Sequence, residues 1–237
     1  MRRSPMNTLL ETRNLSKAYG KKQALRDISL QIQSGKLIGL IGPNGSGKST
    51  LIKLINGLLV PSSGEILVEG KHPGVESKRC ISYLPDRSYL ADWQTPAQAM
   101  GMFRDMYLDF DMEKAKDMAQ SLCIDLKKPL RTMSKGMQEK LQLILVMSRD
   151  AKLYILDEPL AGVDPAARDF IMRTILSNYC SDATLIISTH LIQDMENVLD
   201  EVIILKDGTL FTHSAVDALR DSHHMSLDQI FREEFKC

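Results

Sequence analysis

The segment from Gly42 to Thr50, which reads GPNGSGKST, restricts the fold of this chain more than any other part of its sequence. It follows a short apolar run, Leu37–Ile41, and precedes a stripe of apolar residues at helical spacing that begins at Leu51. The arrangement G-x-x-x-x-G-K-[ST] between a strand and a helix is typical of a loop whose backbone N–H groups wrap a phosphate. A chance glycine-rich turn is the alternative, but it does not account for the patterns on either side. The sequence therefore predicts an α/β fold with a phosphate-binding loop.

The residue types in this loop also predict individual roles in nucleotide binding. Glycines let the backbone approach a phosphate closely, and the start of the following helix favours negative charge. We expect Lys48 to reach the β- and γ-phosphates and to act in catalysis, and Ser49 to bind Mg²⁺. The loop residues expected to contact the nucleotide are Gly42, Pro43, Asn44, Gly45, Ser46, Gly47, Lys48, Ser49 and Thr50.

An acidic pair, Asp157 and Glu158, directly follows the apolar run Leu153–Leu156. Ligands of open α/β sheets bind at the carboxyl ends of the strands, so both carboxylates should lie beside the phosphate-binding loop. We expect Asp157 to hold Mg²⁺, and Glu158 to orient or deprotonate a water for attack on the γ-phosphate. A solvated acidic turn is the alternative, and the presence of the phosphate-binding loop argues against it.

Hydrophobic patterns divide the chain into an α/β scaffold and an inserted helical segment. Alternating polar and apolar residues from Leu9 to Gln33 predict antiparallel strands. Further strands are expected at Leu37–Ile41, Glu65–Val68, Ile81–Leu84, Leu153–Leu156, Thr184–Ser188, Val202–Leu205 and Thr209–Phe211. The last two flank Asp207-Gly208, a strong hairpin signal.

Helices are expected mainly in residues 87–150 and after Asp164. Thr95-Pro96-Ala97-Gln98 has the form of a capping box with proline at the first helical position, and apolar residues as far as Phe110 continue that helix. A second helix is expected from Glu113 to Leu122, and another from Asp164 to about Tyr179. The tail should hold two weak helices, the second with an apolar stripe that packs on its own domain or on a partner.

Composition excludes several classes of protein. The 30 basic and 30 acidic side chains balance, which argues against a dominant nucleic-acid surface. No stretch approaches the roughly 18 apolar residues of a membrane span, and the N-terminus lacks the apolar region of a secretory signal. The four cysteines are far apart in the sequence, as expected of reduced thiols in the cytosol.

Together, these motifs resemble the ATP-binding subunits of ABC transporters over nearly the whole chain. The segment Met133–Met137 stands where that family has its LSGGQ signature, with Lys135 and Met137 in place of glycine and glutamine. The segment Ala161–Asp164 resembles the D-loop of the family, and His190 resembles its switch histidine.

The resemblance implies a role for each matching residue. Tyr19 would stack on adenine, and His190 would contact the γ-phosphate. Ser134 and Gly136 would act on ATP bound by a second subunit, and Asp164 would lie at the dimer seam as well as capping a helix. The alternatives are an ordinary strand tyrosine for Tyr19, a structural histidine for His190 and a local helix cap for Ser134.

Asp86 stands where the family usually has glutamine, at the junction of the core and the helical segment. Asp86, the SKGMQ signature and the segment GVDPAARD together make the chain resemble an ABC-2-type exporter subgroup of YtrB-like bacterial subunits. We expect Asp86 to join the metal site, through a metal-bound water rather than directly. The alternative is a turn residue after Pro85 that faces solvent.

The resemblance implies a P-loop NTPase (RecA-like) core with an N-terminal antiparallel β subdomain and an inserted all-helical signature subdomain. It implies one ABC-type ATP-binding domain over residues 1–237, with the core in 1–86 and 151–237 and the helical subdomain in 87–150.

The function implied by the resemblance is ATP hydrolysis, with ATP and Mg²⁺, that powers a separate transmembrane permease of an exporter. The expected partners are a second ATP-binding subunit, in a homo- or heterodimer, and the permease, with no nucleic acid. The expected location is the cytoplasm, at the inner face of the cell membrane. Tyr89 and Trp93 are candidates for the permease contact, or they pack internally.

Other classes of P-loop protein remain as alternatives. A DNA-maintenance ATPase needs a long coiled coil, but only about 85 residues separate Lys48 from Ser134. A translation ATPase normally carries two such cassettes in one chain. A P-loop kinase would not explain Ser134, Asp164 and His190 together.

Overall fold

The part of the chain that the computed structural model describes, residues 8–161, 163–180 and 182–235, contains two β-sheets flanked by helices. The strands are β1 (Thr8–Tyr19), β2 (Lys22–Gln33), β3 (Leu37–Ile41), β4 (Ser63–Val68), β5 (Ile81–Leu84), β6 (Leu153–Asp157), β7 (Thr184–Ser188), β8 (Glu201–Lys206) and β9 (Thr209–Ala215). The α-helices are α1 (Lys48–Ile55), α2 (Val75–Cys80), α3 (Pro96–Met106), α4 (Met112–Ser121), α5 (Lys135–Met147), α6 (Pro165–Asn178), α7 (Val216–His223) and α8 (Leu227–Glu234). Short 3₁₀ helices lie at Leu130–Thr132 and Ile192–Asp194.

The larger sheet has the strand order β5-β6-β7-β3-β8-β9, in which neighbours are parallel except β8 and β9. The smaller sheet is antiparallel, in the order β2-β1-β4. Since β3, β6 and β7 are parallel neighbours, their carboxyl ends meet at one edge of the sheet. The expected α/β fold with an antiparallel β subdomain and a helical insertion is confirmed.

The two faces of the larger sheet bury different partners. Ile38 and Leu40 of β3 pack in one apolar cluster with α1 and the antiparallel sheet. Leu37 and Ile41 point to the opposite face and pack in a second cluster with α5 and the other helices of the insertion. Because both faces are covered, β3, β6 and β7 are buried along their whole length.

The first helix of the insertion begins where the sequence predicts and ends earlier than expected. The Thr95 hydroxyl accepts from the Gln98 N–H (3.2 Å), and the Thr95 N–H donates to the Gln98 side chain (2.9 Å). However, α3 ends at Met106, so the expected extension to Phe110 is wrong. The chain leaves the helix at Tyr107, whose ring centroid lies 3.8 Å from the central carbon of the Arg149 guanidinium.

Arg149 joins the insertion to the sheet where the chain returns to β6. Its guanidinium donates to both carboxylate oxygens of Asp109 (3.0 and 2.9 Å). It also donates to the carbonyls of Arg79 (2.7 Å) and Ile81, at the end of α2. The Arg149 side chain is only 2% exposed, so this contact is a buried charge with several partners.

Three other elements depart from the sequence pattern. Helix α2 was not expected, and β9 continues to Ala215, beyond the expected end at Phe211. Helix α1 ends at Ile55, so Leu58, which has helical spacing with the stripe that begins at Leu51, lies outside it and is exposed. The Asp207-Gly208 turn has the positive φ values of a hairpin turn, and the tail helix α8 buries Leu227 against its own domain. Within the described residues, no helix has the length and apolar character to span a bilayer.

Candidate active site

The glycine-rich loop connects the end of β3 to the start of α1, whose N-cap is Gly47. Gly47 has a φ of +107°, which side chains of L-residues disfavour. A Cβ at this position would also lie 2.5 Å from Leu25 Cδ2 and 2.8 Å from the Ala24 carbonyl oxygen. The turn between β8 and β9 also contacts the loop, since the Gly208 N–H donates to the Ser46 carbonyl (3.2 Å). Only glycine therefore fits the position that opens the helix.

Lys48 turns back into the loop. Its ammonium group donates to the carbonyls of Gly42 (2.6 Å) and Pro43 (3.3 Å). Burial lowers the pKa of Lys48, and the carboxylates of Glu158 and Asp157 oppose that shift. A phosphate held by the loop would offer this ammonium group stronger, charged acceptors than the two carbonyls.

Asp157 ends β6 and is almost fully buried. Burial raises the pKa of its carboxyl; the nearby Asp86 carboxylate also raises it, whereas Ser188 and Ser49 lower it. The Oδ1 atom of Asp157 has no hydrogen-bond partner among the described residues. A buried carboxylate oxygen with free acceptor capacity next to a serine hydroxyl fits the oxygen ligands that Mg²⁺ prefers.

The described residues contain no cluster of three or more His, Cys, Asp or Glu side chains able to hold a metal. A site for Mg²⁺ does not require one, because this ion is commonly held by one or two carboxylates together with phosphate oxygens and waters. Asp157 and Ser49 therefore remain the fitting protein ligands.

Glu158 follows β6 with a φ of +53°, a region that residues other than glycine seldom adopt. Its backbone N–H donates to the Ser188 carbonyl (2.9 Å), which fixes it against the end of β7. Its Oε2 lies 2.8 Å from His190 Nδ1, although the two residues are 32 positions apart. Sparsely populated backbone conformations of this kind cluster at active sites.

These residues surround one open groove with a volume of about 590 Å³. Its lining consists of Tyr19, Lys22, Ala24, Asn44, Gly45, Gly47, Lys48, Ser49, Thr50, Asp86, Asp157, Glu158, Ala161 and His190. Gly42 and Ser46 are buried in the loop outside this lining, and Pro43 is exposed. Asp86 is exposed and borders the groove, so the structure brings it to the same site as Asp157.

Ser134, Gly136 and Asp164 do not belong to the lining of this groove. Ser134 caps α5, accepting from the Met137 N–H (3.3 Å), and both Ser134 and Gly136 are exposed. Asp164 is exposed directly before α6, and Gly162, in the segment that resembles a D-loop, lies outside the described residues. The start of α5 thus presents a capped, accessible helix end outside the lining of the groove of its own chain.

Sequence reasoning missed two groups of residues around the groove. Lys22 and Ala24 on β2 line it beside the loop, and their closeness to Tyr19 in the sequence is the signal that could have identified them. Gln142 lines a small cavity that adjoins the groove, together with Asp157. Nothing in the apolar pattern of α5 distinguishes it, since Gln142 stands within a run of buried residues.

Comparison with known proteins gives consistent similarities. The ABC transporter family model matches residues 25–161. The ABC transporter ATP-binding protein YtrB of Bacillus subtilis (strain 168) is 32% identical over 220 residues, covering 91% of this chain and 75% of YtrB. The manganese transport system ATP-binding protein MntB of the same organism is 36% identical over 208 residues, covering 83% and 82% of the two chains. A solved structure of the ATP-binding subunit of an ABC transporter superposes with a TM-score of 0.85 at 28% identity, covering 97% of this chain and all of that one.

Proposed function

The chain belongs to the ABC transporter family as an ATP-binding subunit, and from this premise we propose how its residues bind and hydrolyse ATP. It is the ATPase that powers a separate transmembrane subunit of the transporter. The observation that carries the residue assignment is the groove that the loop, Asp157, Glu158 and His190 share. The alternative roles in translation or DNA maintenance receive no support from the relatives.

The groove holds ATP with its triphosphate on the glycine-rich loop. Tyr19 stacks on the adenine ring, and its position at the groove rim with half of its surface exposed supports this role. Backbone N–H groups at the start of α1 bind the phosphates. Lys48 exchanges its bonds to Gly42 and Pro43 for the β- and γ-phosphates, and its burial favours this exchange because a partly desolvated ammonium gains most from a charged acceptor.

Ser49 and Asp157 would hold Mg²⁺, and Asp86 would contact it through a bound water. When bound, Mg²⁺ neutralises charge that builds up on the β- and γ-phosphates. Asp157 is suited to this task since its Oδ1 atom is buried without a protein partner.

Glu158 orients and deprotonates the water that attacks the γ-phosphate. The 2.8 Å contact to His190 holds the carboxylate in place, and the hydrogen bond to Ser188 holds the backbone. His190 reaches the γ-phosphate from the exposed side of the groove, since its own side chain is 57% exposed. Because Glu158 and His190 are in contact, the carboxylate that activates the water lies next to the imidazole that contacts the γ-phosphate.

Two ATP-binding subunits complete each site between them, as a homo- or heterodimer. Ser134 and Gly136 of one chain bind the ATP of the other, and Asp164 lies at the seam. This is supported by the exposed N-terminus of α5, which lies outside the groove of its own chain. An N-terminal helix end with a serine cap is a favourable anion site once a partner brings the phosphate to it.

Residues 87–150 act as a helical subdomain that contacts the transmembrane permease. Trp93 is 68% exposed on this segment, and Tyr89 next to it packs loosely on Phe103, with ring centroids 6.2 Å apart. Such exposed aromatic residues are common anchors of protein interfaces. Through this contact the chain lies on the cytoplasmic face of the membrane.

The transporter is an exporter. The SKGMQ signature and Asp86 support this direction because they resemble ABC-2-type exporters. Uptake is the competing direction, and transport assays in membrane vesicles with the permease decide between the two.

The test of the assignment is Glu158→Gln, which keeps the shape of the side chain and removes its charge. Hydrolysis should fall at least about 100-fold, because general-base catalysis contributes 10²–10⁴-fold. ATP should still bind, and an ATP-dependent dimer should accumulate on size-exclusion chromatography. Glu113→Gln, at an exposed acid on α4, is the matched control and should behave as wild type. Normal hydrolysis by Glu158→Gln would refute the role of Glu158.

A further inference from the structure

A small cavity of about 150 Å³ adjoins the groove, between α5 and the end of β6, and shares Asp86, Asp157, Glu158 and Ala161 with the lining of the groove. Gln142 of α5 and Asp157 of β6 both line it. Each of the two residues is 4% exposed. Gln142 belongs to the helical insertion and Asp157 to the active site, so the cavity lies where these two parts of the protein are in contact.

Both residues carry a buried acceptor without a partner. Gln142 Oε1 and Asp157 Oδ1 make no hydrogen bond to any residue that the structure describes. Two acceptors cannot satisfy each other, and an unsatisfied buried polar atom costs free energy, so such atoms are normally paired with protein or water. A cavity of this size can hold several waters, each able to donate two hydrogen bonds.

The polar lining continues along one face of α5. Lys135, Glu139 and Gln142 stand at positions i, i+4 and i+7, which project from the same side of a helix, and all three line the cavity. Lys135 Nζ lies 3.6 Å from Glu139. This polar face therefore runs from the capped start of α5, beside Ser134, to the carboxylate at the end of β6.

We propose that Gln142 is a positioning residue that couples Asp157 to the start of α5 through water held in this cavity. The proposal rests on the proposed function and extends it: Asp157 serves the ATP of its own chain, and Ser134 serves the ATP of the partner. The polar face of α5 thus connects the two ATP sites of a dimer. Occupation of the groove reorders the bridging waters, and the hydrogen-bonded backbone of α5, whose residues from Leu141 to Met147 are buried, transmits the change to its N-terminus.

The first test is amide hydrogen exchange in residues 135–140 with and without ADP and Mg²⁺. ADP lacks the γ-phosphate that a partner subunit would contact, so the response reports coupling within one chain. Wild type should change its exchange rate in this segment about fivefold or more, the lower end of typical allosteric couplings. Gln142→Leu, which keeps the volume and removes the amide, should bind ADP with unchanged affinity and lose the response.

Two further variants separate coupling from packing. Gln138→Leu makes the same substitution one turn earlier, at an amide that donates to the Leu130 carbonyl (2.9 Å) and does not line the cavity. It should keep the response. Gln142→Asn retains an amide that can reach Asp157 through one more water, and it should keep at least half of the response. If Gln142→Leu does not fold, Gln142→Met serves in its place.

Turnover and stability give the second test. A purely structural glutamine would leave kcat unchanged in a variant of wild-type stability. We expect Gln142→Leu to melt near the wild-type temperature, because leucine keeps the volume and Gln142 Oε1 makes no hydrogen bond to a described protein group, and yet to lower kcat severalfold with unchanged KM for ATP.

An exchange response equal to wild type in Gln142→Leu, or loss of the response in Gln142→Asn as complete as in Gln142→Leu, would overturn the proposal. Failure of the wild-type chain to bind or hydrolyse ATP would instead refute the proposed function.

Discussion

Replacing Arg149 with methionine should loosen the helical insertion from the sheet. The change removes a two-pronged ion pair to Asp109 and hydrogen bonds to the carbonyls of Arg79 and Ile81. Methionine fills a similar volume, so the loss is electrostatic rather than a cavity. Breaking one partner of a buried pair costs about 3–5 kcal/mol. Asp109 is 25% exposed and regains some water, so we expect a loss near the lower end, about 3 kcal/mol.

Urea unfolding followed by circular dichroism measures this loss. For a chain of this length, about 3 kcal/mol corresponds to a fall in Tm of about 6–12 °C. A double-mutant cycle with Asp109→Asn isolates the ion pair, because the carbonyl bonds of Arg149 persist in that single variant. Arg104→Met, which removes an exposed pair with Asp105, is the control and should change stability by less than about 0.5 kcal/mol. A loss below about 1 kcal/mol for Arg149→Met would refute the view that this residue fastens the insertion.

Three further predictions concern the active site. Lys48→Ala should weaken ATP binding about 10- to 100-fold in a nucleotide titration, because it removes charged hydrogen bonds to phosphate; unchanged affinity would contradict its role. Asp86→Asn should tighten ATP binding in EDTA and flatten the Mg²⁺ dependence of hydrolysis, because it removes a negative charge that repels the triphosphate; one like charge at about 6 Å costs about 3 kcal/mol at an effective dielectric of about 20. Identical Mg²⁺ titrations for the variant and the wild type would show that Asp86 is only a turn residue. Asp157→Asn should abolish hydrolysis yet raise Tm at neutral pH. Burial raises the pKa of this carboxyl, so its charged form destabilises the folded state at neutral pH, and asparagine removes that charge. A lower Tm would show that the carboxylate has protein partners that stabilise it.

The sequence alone determined the parts of the fold that depend on neighbouring residues. The glycine-rich loop, the Thr95 capping box and the Asp207-Gly208 turn each need only a few consecutive residues, so their patterns identify them. The apolar runs of β3 and β6 likewise predict strands that are covered on both faces. Fold class and the order of the motifs along the chain follow from these local signals.

Tertiary structure decided where distant residues meet. It ended α3 at Met106, just before Tyr107 packs on Arg149, and it produced α2, where the same guanidinium donates to the Arg79 carbonyl. It paired Glu158 with His190 across neighbouring strands, and it left Gln142 and Asp157 as unpaired acceptors around one cavity. Such contacts have no fixed spacing in the sequence. They depend on the register of the sheet and on which side chains need a buried partner, and both are settled only when the helices pack on the strands.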